Sequence, residues 1–346
     1  MRKHPDIPTL AELEELKIGK LESGHKNLIS DVPGVTVGHF TYKDGDIQTG
    51  ITAILPHEGN LFKEKVVAAT YVMNGFGKSI GLMQIDELGT LETPILLTNT
   101  LSVGRVATGL IQYMLEQNPD IGLTAGSVNP IVGECNDGYI NAIRNMAIEE
   151  SHVRIAIESA NESFEQGAVG AGTGMVAFNL KGGIGSASRI VTLDQKRYTL
   201  GVLVLTNFGS LSKFTIDGLK TGEAIQEQSE RAEQGSMIAV IATDIPLSDR
   251  QLKRVLKRIP AGMARTGAYF GTGSGDVFYG FSTAHRINHS SEQALSQMQI
   301  IHETRIDSVF QATIEATEAA ILNSMRHAET TVGRDERVVK SLKTFL

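Results

Sequence analysis

A layered α/β fold with largely antiparallel sheets is the class this sequence predicts. Strand-like and helix-like runs alternate in mixed order, so neither kind of element is confined to one part of the chain. Glycine is abundant, 36 of 346 residues, and it clusters between apolar runs, where tight turns and close backbone approaches are needed. No internal repeat and no linker of distinct composition divides the chain, so residues 1–346 read as one large domain.

Taken in order, residues 8–17 have the spacing of a short amphipathic surface helix. A Pro33-Gly34 turn then opens an alternating strand running to His39. Further strands are predicted over 50–55, 66–73 and 93–98. Val103, Val106, Leu110, Tyr113 and Met114 fall at helical spacing and predict a helix over 102–117. Helices are expected at 137–148 and 150–163, and strands at 175–180, 187–193, 199–206 and 236–242. Ser248 reads as an N-cap for a helix running to about Ala264. A strand after Ser274 and a helix over 305–326 close the chain, and Lys220–Gln234 is the best surface loop.

Composition narrows the function. The net charge is −7 and no basic stripe is present, which argues against a nucleic-acid partner. No apolar run approaches the roughly 18 residues of a membrane span. The N-terminus leads into an amphipathic helix pattern rather than a signal peptide. Cys135 is the only cysteine, so no internal disulfide can form, and a reducing cytoplasm fits.

The stretch Gly271-Thr-Gly-Ser-Gly-Asp276 carries the sharpest chemical signal. Ser274 stands between Gly273 and Gly275, residues free to take backbone angles that a Cβ forbids. Its hydroxyl can then approach the carbonyl of the preceding residue, as a chain that cuts itself before a serine requires. Cleavage at Gly273–Ser274 would release an α-amine titrating at about 7.7–8.0, suited to a base near neutral pH. The plain alternative is a polar turn leading into a strand.

Asn207 ends an apolar strand before a Phe-Gly turn, where its amide is either an oxyanion donor or the cap of an Asx-turn. Gly133–Tyr139 is a polar knot. Asp137 there suits a helix cap, Glu134 an ammonium, and Tyr139 a pocket wall or an oxyanion donor. On the last helix, Thr313 and Glu315 lie about 200° apart, and exposed glutamates there would ordinarily form a solvated face. Gly77-Lys-Ser-Ile-Gly81 matches the nucleophile-elbow pattern, with Asp244 and His285 in a legal order after Ser79, but nothing locates those partners. His285 and His289 lack a carboxylate to complete a metal site and read as surface residues.

Together, Asn207-Phe-Gly, Gly273-Ser-Gly-Asp and Ala312-Thr-Ile-Glu-Ala resemble peptidase family S58, the L-aminopeptidase/D-amidase-esterases and β-peptidyl aminopeptidases. The similarity starts at Ile29–His39 and continues through Thr49–Pro56, Glu92–Thr100, Gly167–Gly174 and Gly182–Arg189. It is greatest with members described as D-aminopeptidases. The resemblance implies a four-layer αββα sandwich of the N-terminal-nucleophile-hydrolase type, cut into residues 1–273 and 274–346. It implies that Ser274 forms an acyl-enzyme, Asn207 holds the oxyanion with the Ser274 amide as a further donor, and Tyr139 assists. It implies that Glu134 holds the free ammonium, with Gly275 beside the substrate. The family's hydroxyl-x-Glu pair maps to Thr313 and Glu315, with threonine in place of serine, and Ala319 replaces a second glutamate. The base is then the Ser274 α-amine or the Glu315 region. No metal or organic cofactor is implied, the substrate is a small peptide, amino-acid amide or ester, and a homotetramer or larger homo-oligomer is expected. The rival readings are an acyltransferase of the ornithine acetyltransferase type, disfavoured by serine rather than threonine at 274, and a non-catalytic assembly protein.

Overall fold

The computed structural model describes residues 7–225, 235–291 and 293–346. In the first half are α1 (Leu10–Glu15), β1 (Thr36–Asp44), β2 (Ile47–Leu55), β3 (Glu64–Gly75), α2 (Leu82–Leu88), β4 (Thr90–Leu91), β5 (Ile95–Asn99), α3 (Val103–Gln117), β6 (Ile131–Cys135) and α4 (Ser151–Glu158). There follow β7 (Val176–Ala177), β8 (Leu180–Lys181), β9 (Ile184–Leu193), β10 (Lys196–Asn207), α5 (Thr221–Ala224), β11 (Ser236–Thr243), α6 (Asp249–Leu256), α7 (Ile259–Arg265), β12 (Gly275–Asn288), α8 (Asp307–Arg326), β13 (Thr331–Val332) and β14 (Val338–Val339).

Two sheets face one another. One has the order β1-β2-β5-β6 and the other β4-β3-β12-β11-β10-β9. Pairing is antiparallel except for β5 with β6 and β11 with β12. Alternation along each strand sorts the side chains into layers. Leu203, Leu205, Ile238, Val240, Val277 and Tyr279 fill the space between the sheets with Ile54, Ile95, Leu97 and Ile131. The intervening residues, such as Val202, Val204, Ala239, Ile241 and Phe278, pack on the other face against α6, α7 and α8. Helices α3 and α4 cover the outer face of the four-stranded sheet through Val106, Leu110, Val153 and Ile157. The four-layer αββα arrangement is therefore present. All eight residues of β11 are buried, and full burial of each large aliphatic side chain is worth about 1.5–3 kcal/mol relative to exposure.

Local chemistry accounts for several boundaries. Ser248 caps α6 with a reciprocal box, its Oγ accepting from the Gln251 amide while the Gln251 side chain accepts from the Ser248 amide. The single helix expected from there to Ala264 is two helices, and Pro260 stands in the first turn of the second, where its missing N–H costs nothing. The strand expected at 175–180 is the short hairpin β7–β8, turned by Phe178 and Asn179 at φ of 50° and 63°.

The helix expected at 137–148 is not formed. Asp137 is buried and accepts from the Asn141 side chain instead of capping, only a single 3₁₀ turn follows at Ile143–Asn145, and Met146 ends it at φ 46°. The helix expected at 150–163 stops at Glu158. The expected loop 220–234 begins with α5, and its remainder, 226–234, lies outside the described residues. Strand β6 and helix α2 had no sequence-based expectation. Strand β6 lay inside what read as a polar knot, and α2 is a short run bounded by Gly81 and Gly89, a pattern that does not signal a helix.

Candidate active site

The ends of six strands meet at one edge of the inter-sheet layer. Asn207 closes β10 and pairs with Ser236, the first residue of β11. Gly275 opens β12 and pairs with Gly75, the last residue of β3. Glu134 and Asn99 lie near the ends of the neighbouring parallel strands β6 and β5.

Ser274 immediately precedes β12 and is 2% exposed. Its amide donates to the Gly271 carbonyl at 3.0 Å, closing a tight turn. The next amide, of Gly275, donates to Ser236 Oγ at 3.1 Å. The two glycines do not serve as expected, because neither has a left-handed φ. Gly275 is needed for close approach, since a Cβ there would sit 2.6 Å from the Phe76 carbonyl oxygen. A Cβ on Gly273 would meet nothing within 4 Å, so the flank of the Gly273–Ser274 bond is open.

Glu134 is 3% exposed although it carries a carboxylate. The Lys78 amide donates to its Oε1 at 2.8 Å, and the Thr100 hydroxyl donates to its Oε2. A carboxylate has about four lone-pair sites, so this arrangement orients the group and leaves capacity for a cation. A Cβ at Gly77 would lie 3.4 Å from Glu134 Oε1 and 3.9 Å from Gly275 Cα. Those two distances bound the separation of that oxygen from Gly275 Cα at 7.3 Å.

Asn207 is held at both ends of its amide, with Nδ2 donating to the Asn136 carbonyl and Oδ1 accepting from the Val176 amide, both at 3.0 Å. With Tyr139, Asn136, Val176, Gly235 and Arg337 it lines an open cavity of about 390 Å³. The Arg337 guanidinium sits 5.1 Å above the Tyr139 ring and donates to the Tyr139 carbonyl. Behind this wall, burial pushes the Asp137 carboxyl up to about 7, against hydrogen bonds from Asn141 and Thr49. The buried Lys181 ammonium donates to the carbonyls of Gly172, Met175 and Gly182 and thereby ties down the segment that presents Val176. Burial also lowers the Lys181 pKa well below its ordinary value.

Thr313 and Glu315 are not brought to this cluster. Thr313 turns its hydroxyl back to the Val309 carbonyl. Glu315 accepts from the Lys20 and Leu21 amides and from Gln311, and it faces Arg189 Nε at 3.5 Å. Arg189 pairs with Leu200, which precedes Asn207 by about 23 Å of strand at about 3.3 Å per residue. Helix α8 meets the Asn207 end of the sheet with its last turns instead, where Ser324 Oγ lies 2.8 Å from Thr206 Oγ1.

The elbow-like Ser79 has no catalytic partners. It lies beside the buried Tyr279 phenol, whose pKa burial raises, while Asp244 accepts from the Thr199 amide and His285 pairs with the Gln299 carbonyl. Among the described residues no group of three or more His, Cys, Asp or Glu side chains forms a metal site, and no helix is long and apolar enough to cross a membrane. Thr100, Ser236 and Arg337 were missed from the sequence. Each acts through a partner distant in the chain, and nothing in its own neighbours signals that.

The model of the family described as Peptidase family S58 matches residues 27–339. The chain belongs to that family. It is 34% identical over 345 residues to the β-peptidyl aminopeptidase of Sphingosinicella microcystinivorans, covering 92% of this chain and 86% of the relative. A crystal structure of a protein from Pyrococcus horikoshii OT3 superposes with a TM-score of 0.93 at 51% identity, covering 97% and 96% of the two chains. The L-aminopeptidase D-Ala-esterase/amidase of Ochrobactrum anthropi, described as a prototype for the serine aminopeptidases and a new variant of the Ntn hydrolase fold, gives 0.89 at 32% identity over 96% and 95%. Membership of this peptidase family, together with the aminopeptidase relatives, makes this chain a hydrolase.

Proposed function

We propose that this chain is a self-processing aminopeptidase that releases N-terminal residues from short peptides, amino-acid amides or esters. The observation that carries the reading is the pairing of a buried serine at the head of a central strand with an oriented, buried carboxylate no more than 7.3 Å from the next Cα. In the first reaction Ser274 Oγ attacks the Gly273 carbonyl carbon. The C–O bond forms, the C–N bond breaks, and the proton of the hydroxyl ends on the departing amine. Water then hydrolyses the ester, leaving a Gly273 carboxylate, the restored hydroxyl and a free α-amine on Ser274.

In turnover that amine is the base, since Glu315 is committed elsewhere. It accepts the hydroxyl proton as Ser274 attacks the substrate carbonyl, and returns it to the leaving amine. Asn207 Nδ2 carries a second hydrogen besides the one given to Asn136, and this is the donor for the oxyanion. Tyr139 assists from the same cavity. Water releases the acyl group. Glu134 takes the substrate's ammonium, which restricts cleavage to unblocked N-termini. Both α- and β-amino acids fit this scheme, in line with the activities of the β-peptidyl aminopeptidase and L-aminopeptidase relatives. The molecule is read as a cytoplasmic homo-oligomer that needs no metal or organic cofactor.

An intact mass spectrum of the purified protein tests the scheme. Two species corresponding to residues 1–273 and 274–346 are expected, and Ser274→Ala should stay whole and inactive. Aminopeptidase activity persisting in Ser274→Ala would overturn the proposal.

A further inference from the structure

The segment that leads into the Gly273–Ser274 bond is held in a way the turnover scheme does not use. Phe270 has a φ of 59°, an outlier for a bulky residue without a polar side chain to bond locally. Asn74 lies across from Asp276 in the β3–β12 ladder. Its Nδ2 donates to the Phe270 carbonyl at 3.2 Å and to the Gly271 carbonyl at 3.0 Å. The Gly271 carbonyl is also the acceptor of the Ser274 amide. One side chain on β3 therefore holds both the strained residue and the acceptor that closes the turn around the bond to be cut. From the other side, Gly275 is anchored to Ser236 Oγ and pressed against Phe76. The turn is clamped at both ends, while the flank of Gly273 stays open.

We infer that Asn74 is a positioning residue for self-cleavage, holding residues 270–273 in a strained turn that the cut releases. This rests on the self-processing reading above. The step itself is the acyl shift and ester hydrolysis already described, and Asn74 exchanges no proton or electron pair in it. Its contribution is to hold the Gly271 carbonyl, and with it the Ser274 amide, in place for attack on Gly273, and to prevent Phe270 from relaxing first. Once the bond is cut, Gly273 is a free chain end and Phe270 can leave the left-handed region. The constraint acts on the precursor and ends with cleavage, so Asn74 matters for maturation rather than for turnover.

The experiment follows processing of freshly expressed protein by intact mass. Asn74→Asp keeps the size of the side chain but replaces the double donor with an acceptor. It should slow cleavage by about tenfold or more, since small misplacements of reacting groups have effects of that order or larger. The matured fraction should then hydrolyse an amino-acid amide with the kcat and KM of the wild type, which a general structural defect would not allow. Melting of Ser274→Ala with and without Asn74→Asp checks that the uncut chain folds. If it does not, Phe270→Asn serves as the second variant, because asparagine tolerates a positive φ; it should also slow cleavage by relaxing the turn. Cleavage of Asn74→Asp at the wild-type rate, or a matured fraction with impaired kcat, would overturn the inference while leaving self-processing intact. A wild-type chain that never cuts would overturn both.

Discussion

Glu134 is costly to bury, and its burial is only partly compensated. A carboxylate out of water must be compensated by hydrogen bonds. The Lys78 amide and Thr100 hydroxyl supply part of that compensation, and a bound ammonium would supply the rest. Glu134→Gln keeps the shape and removes the charge. A charge-assisted hydrogen bond is worth about 1.5–3 kcal/mol, so KM for unblocked substrates should rise about 10- to 100-fold. Steady-state kinetics on an amino-acid amide measures it, and an unchanged KM would remove Glu134 from the ammonium site. Asn207 makes a complementary case. Its amide is fixed by Asn136 and Val176, so Asn207→Ala should lower kcat by about 10²–10³ with a smaller change in KM. The position of Asn207 at a strand end was legible in the sequence, but the partners of its amide were not. They include Val176, which only the hairpin β7–β8 brings alongside.

At the scale of elements, α8 separates what a helix pattern can say from what it cannot. Its extent was legible from spacing, and its bounds differ from expectation by two residues at the start. Which face meets which neighbour was not legible. Glu315 and Arg189 form a buried pair, with side chains 5% and 4% exposed, that also pins the backbone at Lys20 and Leu21. Losing one partner of a buried ion pair costs about 3–5 kcal/mol, because the other charge is left uncompensated. Glu315→Gln should therefore lower the unfolding free energy measured by urea titration by an amount of that order while leaving kcat/KM within about twofold. A large loss of kcat/KM in a stable variant would return Glu315 to the chemistry. The missed strand β6 has the opposite lesson. Its five residues are all buried, yet Gly133 and Glu134 within them broke the apolar pattern that marks a strand.

At the scale of the whole molecule, the proposed cut divides the chain but not the fold. Strand β12, in the C-terminal piece, lies between β3 and β11 of the N-terminal piece. Helix α8 packs on β9 and β10. The two pieces share every layer of the core on that side, so separating them would expose Phe278, Phe281, Ile321 and Met325 to water. They should elute together in native size exclusion and part only in denaturant. Separate elution without denaturant would be incompatible with this arrangement.

By itself, the sequence determined the fold class, most strands, the extent of α8, the family and the suspicion that fell on Ser274. These follow from short-range facts: residue spacing sets which faces are apolar, and glycines and caps set where elements stop. The tertiary structure decided which carboxylate shares the edge of the sandwich with the serine. Glu134 lies there because β6 ends at the same edge where β12 begins, whereas Glu315 is carried toward the far end of the six-stranded sheet. Strand order and register are properties of the packed sheets, and no local spacing encodes them.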